Sequence, residues 1–220
     1  GTPGKKNSVD GTYTDNTDPR LMRAYATDSV NVVLVFDEPM DITKAALTTN
    51  YNISDGISQP QTAAAISPVF DRVALKLNTP LVRNKVYTVT VSALTDCVGN
   101  VISTKNSAKL GLASATDSFD VVINEILFNP KPTGVDYGEL YNRTNKNIDL
   151  KNIYIAGRNT SGTISSITQL SSEAYLFYPE EFIVITADAS IVKRDFITLN
   201  PDAFAEVSST PSYNDDEADV

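Results

Sequence analysis

Glu125 and Glu139 draw attention first, because each lies in an apolar, strand-like run and not in a charged loop. Two carboxylates held close together can serve as general acid and base, as in glycoside hydrolysis, when their surroundings split their pKa values. A Glu at a strand edge more often accepts hydrogen bonds from loop amides, so neither is assigned a catalytic role. Composition removes most other nucleophile systems. The chain has no His, which excludes Ser-His-Asp and Cys-His arrangements and every His-ligated zinc or iron site. A Ser nucleophile would then need a Lys, and no Ser-x-x-Lys motif with supporting pieces is present. Cys97 is the single cysteine, which excludes a disulfide framework; in the Asp96-to-Asn100 turn it reads as a half-buried, unactivated thiol. No catalytic, cofactor-binding or metal-ligating residue is assigned, and no cofactor is expected.

Calcium is the one cation the acidic residues could serve, since it takes oxygen ligands from carboxylates, amides and carbonyls. Asp15, Asp18, Asp117 and Asp120 flank the segments that enter two strand-rich halves, and Asp215, Asp216, Glu217 and Asp219 crowd the C-terminus. No Asp-x-Asp-x-Asp-Gly loop sets a site, and a solvated acidic surface accounts for the same residues. A net charge of −9 argues against a nucleic-acid partner. The basic pairs Lys5-Lys6 and Lys193-Arg194 are isolated, and Tyr87, Tyr137, Tyr141, Tyr154 and Tyr175 are spaced like packing aromatics rather than a base-stacking platform. No run approaches the roughly 18 apolar residues needed to span a bilayer. Asn52-Ile53-Ser54 and Asn142-Arg143-Thr144 are glycan acceptors only in a host that uses them.

The elements that must position these residues are strands. With 41% hydrophobic and 20% charged residues in 220, the chain can bury one large core or two small ones. Asn31–Phe36, Val73–Leu77 and Val86–Val91 are β-rich runs closed by turn residues, the last placing Tyr87, Val89 and Val91 on one face. Asp41 caps a single helical turn through Leu47. The stretch from Asn106 to Phe119 turns Ser-, Ala- and Gly-rich and marks a joint. Beyond it, Val121–Phe128, Gly138–Asn142, Ile148–Ile155 and Phe182–Thr186 repeat the pattern, with Phe182–Thr186 the most apolar and central, and one or two helical turns between Ala189 and Phe196. Short, regularly spaced strands predict β-sandwiches.

Two family resemblances follow from these residues. Asp18-Pro19, Val32–Phe36 with Glu38-Pro39-Met40-Asp41, Asn50-Tyr51-Asn52-Ile53, Leu81–Tyr87, Val89-Thr90-Val91 and Asp96-Cys97-Val98-Gly99-Asn100 together resemble a bacterial Ig-like domain of S-layer and other surface proteins. The second half resembles a lamin tail domain. The matching pieces are Val122-Ile123-Asn124-Glu125-Ile126, Asn129-Pro130, Asp136–Asn142, Ile148-Asp149-Leu150, Tyr154-Ile155, Tyr178-Pro179 and Phe182–Ile185. Three departures stand out: Tyr137 where the family often has Trp, Gly138 where a β-branched residue would sit, and Glu180 where Gly is usual. Gly138 is expected to weaken or bulge its strand, and Glu180 puts the turn type in question.

The resulting expectation is an all-β chain of two tandem Ig-like β-sandwich domains: a loose segment 1–18, a bacterial Ig-like sandwich 19–110, a linker 111–118, and a lamin-tail-like sandwich 119–220 that lacks its last strands. A chain opening at Gly1 without Met fits a trimmed or mature form, so its start does not point to the cytosol. The resemblances imply a non-catalytic structural or interaction segment of a larger secreted or cell-surface bacterial protein, its sandwiches a spacer or a recognition surface for protein or glycan. Accessory domains of an extracellular hydrolase or nuclease, and a calcium- or carbohydrate-binding module, are the alternatives. The location implied is extracellular or cell envelope. An open sheet edge in the C-terminal domain would allow self-association.

Overall fold

Short strands organise the chain, which is all-β, with two small α-helices among the described residues. The computed structural model describes residues 3–4, 15–158 and 161–211. Among these, the strands are β1 (Leu21–Ala26), β2 (Asn31–Phe36), β3 (Tyr51–Ile53), β4 (Thr62–Ala65), β5 (Arg72–Lys76), β6 (Val86–Val91), β7 (Ser107–Gly111), β8 (Val121–Leu127), β9 (Tyr137–Asn142), β10 (Ile148–Asp149), β11 (Tyr154–Arg158), β12 (Ile164–Gln169), β13 (Leu176–Phe177), β14 (Phe182–Thr186) and β15 (Phe204–Glu206). The helices are α1 (Ile42–Ala45) and α2 (Ala189–Asp195). The chain divides into two compact units: 1–24, 31–78 and 88–108 in the first, and 25–30, 79–87 and 109–220 in the second.

Strands β1 to β7 form a four-stranded sheet in the order β1-β2-β5-β4 and a three-stranded sheet in the order β3-β6-β7. Strand β2 lies inside its sheet, and five of its six residues are buried. In β6 the expected face is the buried one: Tyr87, Val89 and Val91 point inward, with Leu34, Leu75, Tyr51, Leu94 and Leu110 also removed from solvent. Burying one such side chain is worth roughly 2 kcal/mol, so the alternation is what holds the sheets together. Asp41 caps α1 by accepting from the Lys44 N–H at 2.7 Å. Part of the Ser/Ala/Gly-rich stretch from Asn106 is strand β7, because Ala108 and Leu110 still alternate with polar neighbours.

In the second unit the main sheet runs β15-β14-β9-β8, with the two-stranded pairs β10-β13 and β11-β12 beside it. Its core contains Leu140, Ile148, Leu150, Ile155, Leu170, Phe177, Ile183 and Ile185. Strand β14 is internal, as its apolarity predicts, and α2 makes two turns capped by Asp188. A short 3-10 turn, Leu150–Asn152, divides the single run expected from Ile148 to Ile155. Gly138 does not bulge its own strand: it pairs with Ile126 and Ile185 in register, and the irregularity lies opposite, in β8 between Ile123 and Glu125. Glu180 takes the positive φ (60°) that Gly would supply, while the Glu181 N–H donates to the Tyr178 carbonyl at 3.3 Å. The turn is therefore a type II turn with Pro179 at its first corner and Glu180 at the strained second.

Candidate functional site

The bulge in β8 creates the most distinctive surface of the second unit. Alternation along β9 sends Gly138, Leu140 and Asn142 to the core and Tyr137, Glu139 and Tyr141 to the outer face. Ile123 pairs with Leu140, so a regular ladder would turn Asn124 outward and Glu125 inward. The extra residue lets both Asn124 and Glu125 face out and sets Glu125 opposite Glu139. One row then crosses all four strands: Glu125, Glu139, Val184 and Phe204.

An open groove of about 700 Å³ lies over this row, walled by Val192, Phe196 and the connection from α2 to β15. Each carboxylate of the pair is held by a neutral donor. The Tyr137 hydroxyl donates to Glu125 Oε1 at 2.6 Å, and Asn124 Nδ2 donates to Glu139 Oε1 at 2.7 Å. Burial first, then the bond to Glu125 and the charges of Glu125 and Glu139, push the Tyr137 hydroxyl well above its ordinary range, so it stays a neutral donor. Among the described residues, no Lys or Arg forms an ion pair with Glu125 or Glu139, whereas Glu181 is paired with Lys109. Chemically, the row offers hydrogen-bond acceptors and negative charge beside aromatic and aliphatic surface. The sequence named both Glu residues but could not place them side by side, because that depends on the bulge.

A second acidic feature lies in the first unit. Carboxylate oxygens of Asp15, Glu38 and Asp96 fall within 4.8 Å of one another. Asp96 is buried, and its Oδ1 accepts from the N–H groups of Val98 (2.9 Å), Gly99 (2.6 Å) and Asn100 (2.9 Å), while Oδ2 accepts from Asn100 Nδ2 at 2.8 Å. Gly99 takes a positive φ of 104° there. Asp96 thus closes the turn with both oxygens engaged. Burial, then the charges of Asp96, Asp15 and Asp37, raise the Glu38 carboxyl above its usual range. The three carboxylates therefore repel one another, and Asp96 alone of them has both oxygens engaged by the turn.

The other residues weighed for chemistry have local duties. Ser103 Oγ donates to Asp18 at 2.5 Å. Lys146 bridges Asp117 (2.6 Å) and Asp120 (2.7 Å). Asp215, Asp216, Glu217, Asp219 and Lys5-Lys6 lie outside the described residues. Cys97 is exposed rather than half-buried, its thiol directed to the Pro39 carbonyl at 3.5 Å. Ser190 and Lys193 have the Ser-x-x-Lys spacing, yet Ser190 Oγ donates to Asp188 (2.6 Å) and Lys193 Nζ lies 4.5 Å from the Phe204 ring centroid. Asn142 is fully buried: its amide donates to the Lys146 and Phe177 carbonyls and accepts from Thr144, so this sequon is closed to a glycan. Tyr87 is buried as expected, while Tyr154 is exposed. No helix among the described residues is long and apolar enough to cross a membrane.

Residues 14–116 match the family model of a bacterial Ig-like domain, somewhat under half of the chain. No curated protein matches. Among solved structures, the S-layer protein rSbsC(31–844) is similar at 14% identity and a TM-score of 0.40, over 76% of this chain and 23% of that one. The N-terminal part of the bacterial S-layer protein SbsC is similar at 18% identity and a TM-score of 0.39, over 76% of this chain and 40% of that one. SbsC domains 1–6 give 19% identity and a TM-score of 0.38, over 77% and 23%. The chain therefore spans less than half the length of these structures, and likeness at this level carries no argument about activity.

Proposed function

We propose, from the match of residues 14–116 to a bacterial Ig-like domain, that this chain is a non-catalytic structural or interaction segment of a larger cell-surface or secreted bacterial protein. On this reading its β-sandwiches, joined near residues 111–118, act as spacers or recognition surfaces. The family match is the observation that carries it. The carboxylate pair in the second unit is consistent with it, since Tyr137 and Asn124 hold Glu125 and Glu139 as acceptors. A lamin-tail-like identity for residues 119–220 belongs to the same reading. Its support is the Glu139-Leu140-Tyr141-Asn142 strand, in which the buried Asn142 ties three segments together through Lys146, Phe177 and Thr144. Among the described residues, the calcium alternative draws on the Asp15–Glu38–Asp96 cluster, in which Asp96 already has both oxygens engaged by the turn.

Fractionation of the source cells, probed with an antibody to this chain, tests the proposal. Recovery in the envelope or the culture medium is expected, and recovery in the cytosol would overturn it. Reading the undivided gene product separates a spacer from accessory domains of an enzyme. Self-association through a sheet edge is also kept as a proposal, supported by the terminal position of β8 in its sheet. A strict monomer by light scattering at high concentration would remove it.

A further inference from the structure

We propose that the groove over Glu125, Glu139, Val184 and Phe204 docks a segment of a partner protein that presents a Lys or Arg side chain flanked by apolar residues. This goes beyond the surface-protein reading and does not depend on it, because binding is measured on the chain itself.

Three observations converge on a cationic occupant. The first is charge. Like charges set directly opposite on neighbouring strands are destabilising, and Glu125 and Glu139 are placed so by a bulge that a purely structural sheet would not need. With Glu180 also on the groove wall, a cation seated here relieves repulsion that the fold itself maintains.

The second is hydrogen-bond capacity. The two donors nearest the pair, the Tyr137 hydroxyl and the Asn124 amide, are already bonded to the carboxylates. Beyond one remaining N–H of Asn124, what is left on the pair is carboxylate acceptor capacity, which an ammonium or guanidinium group uses because it has donors only. A sugar hydroxyl presents a donor and acceptors together, and so is matched less well at this end of the groove.

The third is the apolar rim. Ile197 and Leu199 are 95% and 98% exposed on the connection that walls the groove, and Phe182 is 44% exposed at its floor. Two aliphatic side chains this bare on one short connection, beside a groove, mark an interaction surface. Phe182 is stacked on Tyr141 at 4.6 Å between centroids, which fixes the ring for contact with an incoming cation or alkyl stem. Lys193 already covers Phe204, so the open negative charge is at the β8–β9 end. The volume of about 700 Å³ admits one long side chain and its neighbours, not a folded domain.

Fluorescence polarisation with a fluorescein-labelled hexapeptide of alternating leucine and lysine, at physiological salt, tests the proposal. The groove variant Glu125→Gln/Glu139→Gln should weaken binding about tenfold, in line with loss of two charges that face the ligand. Ile197→Ser/Leu199→Ser, which alters only exposed side chains, should also weaken it. The control Asp55→Asn/Glu173→Gln removes the same charge outside the groove and should change affinity less than about twofold, as expected of screened surface charge. Melting temperatures of all variants show that each is folded. Equal loss in groove and control variants, no binding by the wild-type chain, or displacement of the peptide by neutral cellohexaose would each overturn the proposal, the last in favour of a glycan.

Discussion

Glu125 and Glu139 stand opposite each other on the β8–β9 ladder, two carboxylates facing the same side of the sheet because β8 carries one extra residue. Tyr137 and Asn124 hold them in place with hydrogen bonds of 2.6 and 2.7 Å. The sheet thus keeps a repulsive pair on its surface, although a regular ladder would have turned Glu125 toward the core.

Replacing one member with a neutral isostere should make the chain more stable. Glu139→Gln keeps an acceptor for Asn124 and removes the opposed charge. A gain of about 0.5 kcal/mol is expected by urea denaturation at neutral pH, smaller at high salt. A loss of stability would show that the pair is compensated in the fold.

Glu180 occupies the left-handed corner of the Tyr178–Glu181 turn, with φ at 60°. Glu180→Gly should relieve that strain and stabilise the second unit by about 0.5 to 1 kcal/mol, less than the full left-handed penalty because Gly also loosens the unfolded chain. Thermal unfolding checks it.

Glu38 has a carboxyl raised by burial first and then by Asp96, Asp15 and Asp37. For a group raised in the folded state, the folded form binds the proton more tightly. The penalty is absent below the ordinary carboxylate value of about 4.5 and grows as pH rises through the folded value. Glu38→Gln should therefore stabilise the chain at pH 7, with the gain vanishing toward pH 4. Melting curves across that range would show it. In the same assay, millimolar calcium should leave the wild-type melting temperature unmoved.

Asp96 holds three backbone N–H groups and the Asn100 amide from a site 2% exposed. Asp96→Ala should destabilise the first unit by about 3 kcal/mol, since charge-assisted bonds are lost and donors are left without partners. Asp96→Asn should lose less. Denaturant unfolding separates the two.

Lys146 links Asp117 and Asp120. The bond from Lys146, then the Asp117 N–H, holds Asp120 below the usual carboxylate range, and bonds to Asp117 and then Asp120 raise Lys146 above its own. Stability from the lowered Asp120 is present above the ordinary carboxylate range and lost as pH falls through its folded value. Stability from the raised Lys146 is present below the ordinary Lys value and lost as pH rises past its folded one. Lys146→Met should destabilise the chain at neutral pH, with the difference from wild type closing at both extremes. A pH series of melting temperatures tests both limits.

Much of the strand pattern was legible in the sequence because short apolar, β-branched runs and burial alternation are written residue by residue. Val86–Val91, Asn31–Phe36 and Phe182–Thr186 all read correctly for that reason. Thr62–Ala65 and Ile164–Gln169 did not. The first is Ala-rich and half-exposed, the second mostly Ser, Thr and Gln, and neither has apolar contrast between faces. Pairing with β5 and β11 makes them strands. The short β15 is equally silent, since its place beside β14 is set by parallel pairing across the α2 connection.

The sequence alone determined an all-β, acidic chain without His, with Asp41 as a cap and with Glu125 and Glu139 as the carboxylates to watch. These depend on composition, local propensity and spacing of two. Tertiary structure alone decided that the two carboxylates share one face, that Asp96 closes a turn beside Glu38, and that Glu180 bears the strain of a Gly position. The first follows from register, where a single inserted residue reverses which face a side chain takes; the other two follow from turn geometry, which brings distant segments and a positive φ to positions that spacing alone does not mark.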